Sequence, residues 1–155
     1  MRKHILLLIT LLATLEVTAQ NNENFYFSNL NLKDGLSQIS VLKIFQDTKG
    51  FIWFGTRNGL NRYDGSEFVI YKHDPKDSLT LSDNHIWSLA EDNDRNLWIG
   101  TARGLNKLDL KTNRIKPFVD ERYGAFAKSE VRCLTVDSVI AFGSVSYTHL
   151  TLPTK

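Results

Sequence analysis

Apolar residues come in short bursts along this chain, and the bursts recur. Val41–Gln46 ("VLKIFQ") is apolar with β-branched and aromatic content, and Asp47-Thr48-Lys49-Gly50 interrupts it. Phe51–Thr56 ("FIWFGT"), Leu60–Tyr63 and Phe68–Tyr71 follow, separated by Asn58-Gly59 and Asp64-Gly65. Short apolar runs bounded by turn formers read as strands. Asn-Gly predicts a tight hairpin, because both residues tolerate positive φ. No apolar period of 3.6 residues persists for more than a few residues, which disfavours helix.

The same order returns as Ile86–Ala90, Leu97–Thr101, Leu105–Leu108 and Ile115–Val119. Leu36–Asp64 aligns with Leu81–Asp109 without a gap at an offset of 45, and ten of the 29 positions are identical. These are Leu36/Leu81, Ser37/Ser82, Asp47/Asp92, Trp53/Trp98, Gly55/Gly100, Thr56/Thr101, Gly59/Gly104, Leu60/Leu105, Asn61/Asn106 and Asp64/Asp109. A third unit begins at Val131–Asp137 and continues as Val139–Ser144.

Four short antiparallel strands per unit of about 45 residues is the arithmetic of a β-propeller blade. The expected fold is therefore all-β: residues 20–35 as a lead-in strand region, 36–80 as blade 1, 81–128 as blade 2 and 129–144 as part of blade 3. A propeller ring needs four or more blades. Two blades and part of a third leave their outer flanks bare, so poor solubility or loose folding is expected of the isolated chain.

Composition narrows the function. The chain has 155 residues, 42% hydrophobic and 23% charged, with a net charge of +2. That charge is small and its basic residues are scattered, so no nucleic-acid surface is implied. Cys133 is the only cysteine, which excludes an internal disulfide and a cysteine-based metal site.

The two ends stand apart. A basic start, Arg2-Lys3-His4, precedes an apolar run to Leu15, and Val17-Thr18-Ala19 supplies small residues. Residues 1–19 read as a Sec-type signal peptide cleaved after Ala19, which is too short an apolar run for a membrane span. Export is expected. Residues 145–155, "VSYTHLTLPTK", resemble a translated sequencing-library adapter, so this tail is expected to be non-native.

Gly35–Pro75 and Ser78–Asp109 resemble the two-component regulator propeller repeats, through Asp…Trp-x-Gly-Thr-x-x-Gly-Leu-Asn-x-x-Asp written twice. The resemblance covers about Phe25 to Ser144 and implies the periplasmic sensor of a hybrid two-component histidine kinase. Such a parent carries more blades, a membrane helix that tethers it, a kinase core and commonly a homodimeric assembly. The ligand implied is an oligosaccharide. Other outputs remain open: a diguanylate cyclase or another regulator, or an exported propeller enzyme such as a lyase.

No catalytic site, metal site or cofactor is expected. Asp92-Asn93-Asp94-Arg95-Asn96 begins like a calcium loop but has Leu97 and Arg103 where glycine and glutamate are needed. Trp53 and Trp98 sit in register within apolar strands, which favours packing between blades over sugar stacking. Gly55 and Gly100 suit a close backbone approach, while Gly59 and Gly104 suit the hairpin. Asp47 and Asp92 close the first turn. Ligand contact is expected where the copies differ: Arg57 and Asn58 in one hairpin, Arg103 in the other, and His85 and Trp87 at the start of a first strand. Aromatic and bidentate donor groups there suit a sugar or an acidic sugar.

Overall fold

The computed structural model describes residues 27–119, 129–136, 139–144 and 147–153. The signal-peptide segment lies outside these residues. Eleven strands are described: β1 (Val41–Gln46), β2 (Ile52–Thr56), β3 (Gly59–Tyr63), β4 (Phe68–Tyr71), β5 (Ile86–Glu91), β6 (Asn96–Thr101), β7 (Gly104–Asp109), β8 (Arg114–Pro117), β9 (Cys133–Val136), β10 (Val139–Ser144) and β11 (Tyr147–Pro153). They form three antiparallel meanders, ordered β1-β2-β3-β4, β5-β6-β7-β8 and β9-β10-β11. The all-β, repeating four-stranded architecture read from the sequence is the architecture of the fold.

The first two sheets are copies in detail. Trp53 pairs with Arg62 as Trp98 pairs with Lys107, and Thr56 pairs with Gly59 as Thr101 pairs with Gly104. Each first strand slips by one residue at the same place, between Val41 and Lys43 and between Ile86 and Ser88. Leu42 and Trp87 are thus the bulged residues of their strands.

Three details differ from expectation. Within the lead-in, residues 27–35 contain no strand but a 3-10 turn at Leu32–Asp34. Asn31 and Asp34 cap it reciprocally and Gly35 closes it at φ 106°, so its polar groups are satisfied locally without a sheet. In the hairpin, Gly59 alone takes positive φ (115°), with Asn58 in an ordinary conformation. Finally, β11 lies antiparallel on β10 over residues expected to be a non-native tail. An open strand edge recruits an extended chain through its main chain, whatever the origin of that chain.

The core lies between sheets. Trp53 and Leu60 of the first sheet pack with Leu89, Leu97, Ile99, Leu108 and Ile115 of the second, and Phe45 and Tyr71 flank them. Trp98 and Leu105 of the second sheet pack with Val131, beside Phe118, Leu134 and Val136. One face of each blade therefore buries the opposite face of the next. Burial of this kind contributes about 1.5–3 kcal/mol per large aliphatic side chain.

Among the described residues the first sheet has no neighbour on its other side. Ile44 is 61% exposed, whereas its counterpart Leu89 is 3% exposed. A branched aliphatic residue at the same register is core or surface according to whether a blade packs against it.

Candidate functional site

The ten copied positions are occupied with holding the blade together. The Trp53 indole donates to Asp47 Oδ2 at 2.8 Å, and Trp98 donates to Asp92 Oδ2 at 2.8 Å. The other oxygen of each carboxylate closes the first turn. Asp47 Oδ1 accepts from the Lys49 and Phe51 amides, and Asp92 Oδ1 accepts from those of Asp94 and Asn96. The Asp92 oxygens are thus filled by donors of their own turn and of the strand that follows it.

Thr56 donates to the Gly59 carbonyl at 2.8 Å and meets Ser37 at 3.1 Å; Thr101, Gly104 and Ser82 repeat this at 2.8 and 3.2 Å. Asn61 accepts from the Ser37 amide as Asn106 accepts from that of Ser82. Asp64 and Asp109 each accept two amides in the third turn. Leu36, Leu81, Leu60 and Leu105 are buried.

Gly55 and Gly100 mark where the next blade arrives. A Cβ on Gly55 would lie 2.8 Å from Ile86 Cγ2, and one on Gly100 would lie 2.9 Å from Val131 Cγ1. Ile86 and Val131 are themselves 45 residues apart. The third unit therefore approaches the second as the second approaches the first.

With the copied residues accounted for, the uncopied ones define the candidate site. Trp53 and Trp98 are buried at 0% and 4% exposure, so neither offers an open ring. Arg57 and Asn58 are exposed at the tip of the β2–β3 hairpin, and Asn58 donates to the Ser37 carbonyl at 3.2 Å.

His85, Trp87 and Arg103 come together. His85 stacks on Trp87 with ring centroids 4.1 Å apart. Asp83 accepts the His85 amide at 2.8 Å and holds Arg103 at 3.4 Å. The His85 carbonyl accepts from the Ala102 amide at 3.0 Å, tying this strand entry to the hairpin that bears Arg103. Arg57 and Asn58 sit on the preceding blade's hairpin, where the Gly59 amide donates to the Asn84 carbonyl at 2.8 Å.

Sequence reasoning missed Asp83, Glu130 and Arg132. The Arg132 guanidinium lies 4.7 Å from the Trp87 ring centroid, and Glu130 pairs with Arg132 at 3.1 Å. A signal for the last two was present. At offset 45, Ser40, His85 and Glu130 are one position in three blades, and Leu42, Trp87 and Arg132 are another. The backbone bulge is copied and the side chains on it are not. Bulges re-aim side chains, and uncopied residues on a copied scaffold are where recognition can reside.

Two polar atoms in this cluster, His85 Nε2 and Trp87 Nε1, are buried without a hydrogen-bond partner among the described residues. Beside them Arg103 is paired with Asp83 and Arg132 with Glu130.

Comparison with known proteins agrees with the blade register. The two-component regulator propeller model matches residues 35–58 and 80–103. Both segments are thus similar to the repeat of the two-component regulator propeller family. Histidine kinase P4 of Formosa agariphila is 51% identical over 61 residues, which is 39% of this chain and 4% of that protein. Two crystal structures of one extracellular domain from B. thetaiotaomicron, described as a proposed one-component and a proposed hybrid two-component system, are 27% identical. Their TM-scores are 0.58 and 0.59, and the match covers 72% of this chain and 16% of each. The chain therefore spans only a small part of its relatives. Among the described residues no helix is long and apolar enough to cross a membrane.

Proposed function

We propose that this chain is the opening part of an exported ligand-sensing propeller that serves a two-component histidine kinase, with an oligosaccharide as its ligand. The match of both blades to the regulator propeller repeat carries this reading. The likeness to a histidine kinase and to extracellular domains supports it. Among the described residues each copied side chain is committed to a turn, a hairpin or the core, so the blades supply a frame on which the uncopied residues stand. In such a sensor the ligand shifts an equilibrium between two states of the parent by binding one of them more tightly. The parent's dimeric assembly and its anchoring through a downstream helix are part of the same proposal.

The test is to express the complete reading frame to which this chain belongs. Autophosphorylation that changes on adding released glycans supports the reading. A cyclase domain in place of a kinase core, or a reading frame that ends after six or seven blades with no membrane helix, overturns it.

A further inference from the structure

We propose that the bulge of β5 carries a binding site for a neutral hydroxyl group of a ligand, made by Trp87 Nε1 and His85 Nε2 and framed by Arg132. The inference rests on the sensing reading above and places one contact of that ligand.

The argument begins with hydrogen-bond accounting. A buried polar group without a partner is costly, by about 1–3 kcal/mol, so most such groups find one. Here two lie together. They belong to rings stacked 4.1 Å apart at the first-strand entrance, where each blade presents different chemistry on the same backbone. The Trp87 indole is a donor only, so its partner must be an oxygen that accepts. The imidazole Nε2 donates or accepts according to tautomer. A hydroxyl accepts from the indole and pairs with either tautomer. A carboxylate or sulfate, acceptor only, pairs with just one.

Charge points the same way. The cations beside the rings are engaged: Arg103 with Asp83 at 3.4 Å and Arg132 with Glu130 at 3.1 Å. An anion entering here would meet two guanidiniums already neutralised by carboxylates, and would give up its own hydration for little return. This departs from the acidic sugar that arginines alone suggest. The Trp87 face is also not a free platform, since the His85 ring and the Arg132 guanidinium both lie against it. The Arg132 side chain is 47% exposed, so the group lying against the Trp87 ring borders solvent.

Blade 1 supplies the control. It has Ser40 and Leu42 at the same two positions on the same bulged backbone. The double variant H85S/W87L therefore copies a pairing that this fold already tolerates. Trp87→Phe is the finer probe, since it keeps an aromatic ring and loses the N–H.

Calorimetric titration of the purified full chain with neutral disaccharides (maltose, cellobiose, laminaribiose, xylobiose) and with uronate and sulfated disaccharides tests the assignment. The expected result is binding of at least one neutral disaccharide, weakened about tenfold or more in Trp87→Phe and lost in H85S/W87L, while the circular dichroism spectrum of each variant stays that of the wild type. Tighter binding of the charged sugars than of every neutral one overturns the assignment. So does binding that survives in H85S/W87L, or no binding across the panel. If the complete gene product still responds to a glycan when it carries H85S/W87L, the sensing reading stands and this site falls.

Discussion

The indole N–H of Trp98 donates to Asp92 at 2.8 Å, and 45 residues earlier Trp53 makes the same bond to Asp47 at 2.8 Å. The pair couples the first turn of a blade to the ring that the next blade packs against. It explains why a polar and an aromatic residue six positions apart are copied together.

Replacing Asp92 by Ala strands four donors: the amides of Asp94 and Asn96, the Asn96 side-chain amide and the Trp98 indole. Loss of about 3 kcal/mol is expected in urea unfolding, since Asn96 and Trp98 are buried. Trp98→Phe removes one bond and should cost about 1–2 kcal/mol. Equal losses in the two variants would show that the turn amides do not depend on the carboxylate.

Gly100→Ala places a Cβ against Ser88 Oγ and the Val131 carbonyl, and 2.9 Å from Val131 Cγ1. Overpacking at a blade junction should cost about 1–3 kcal/mol. Gly50→Ala meets no atom within 4 Å and strains only its φ of 90°, for about 1 kcal/mol. A Gly100→Ala chain as stable as the wild type would mean that the third unit does not seat on the second.

Leu89→Glu buries a carboxylate in the junction core and should cost about 4 kcal/mol or more, enough to unfold the chain. Ile44→Glu, at the same register on the uncovered flank, should change stability by less than about 0.5 kcal/mol and raise solubility. Comparing soluble yield and circular dichroism of the two checks this. Similar damage from both would mean that the first blade's flank is covered after all.

Acid should weaken the blades in a defined window. Amides of Glu67 and Ser66, together with the Ser66 hydroxyl, hold the Asp64 carboxyl down at about 2, below its ordinary 3.8. The Lys111 amide and the Thr112 side chain lower Asp109. Partial burial would raise Asp92, but the bonds from Trp98 and Asn96 outweigh it and hold it below the ordinary value. The unfolded chain therefore takes up protons first as pH falls. The stability these groups give is complete above the unfolded value near 3.8 and is lost as pH falls through their folded values. Urea midpoints measured between about pH 5 and pH 2 should fall, and less steeply in Asp64→Asn. A midpoint that is flat across this range would contradict the assignment.

The strand order and the period were legible in the sequence. Each depends on local chemistry: apolar runs, turn formers, and a glycine that alone accepts φ near 115° at the hairpin. The copied residues were legible as a set because a repeat must restate whatever holds its unit together. Arg57, Asn58, His85, Trp87 and Arg103 could be singled out only as departures from the copy, and Asp83, Glu130 and Arg132 were not singled out at all. Arg132, paired with Glu130, reaches Trp87 from the next unit, and no spacing rule within one blade describes that contact.

The sequence by itself determined the unit: four strands, their register, and the Asp-Trp, Thr-Gly and Ser-Asn bonds inside them. Only the tertiary structure decided what each face of that unit became. Stacking put Leu89 in a core while leaving Ile44 in solvent. It also brought Arg132 of one blade over Trp87 of another. Hydrogen bonds and turns are satisfied within a few residues, whereas burial depends on which surface arrives from elsewhere in the chain.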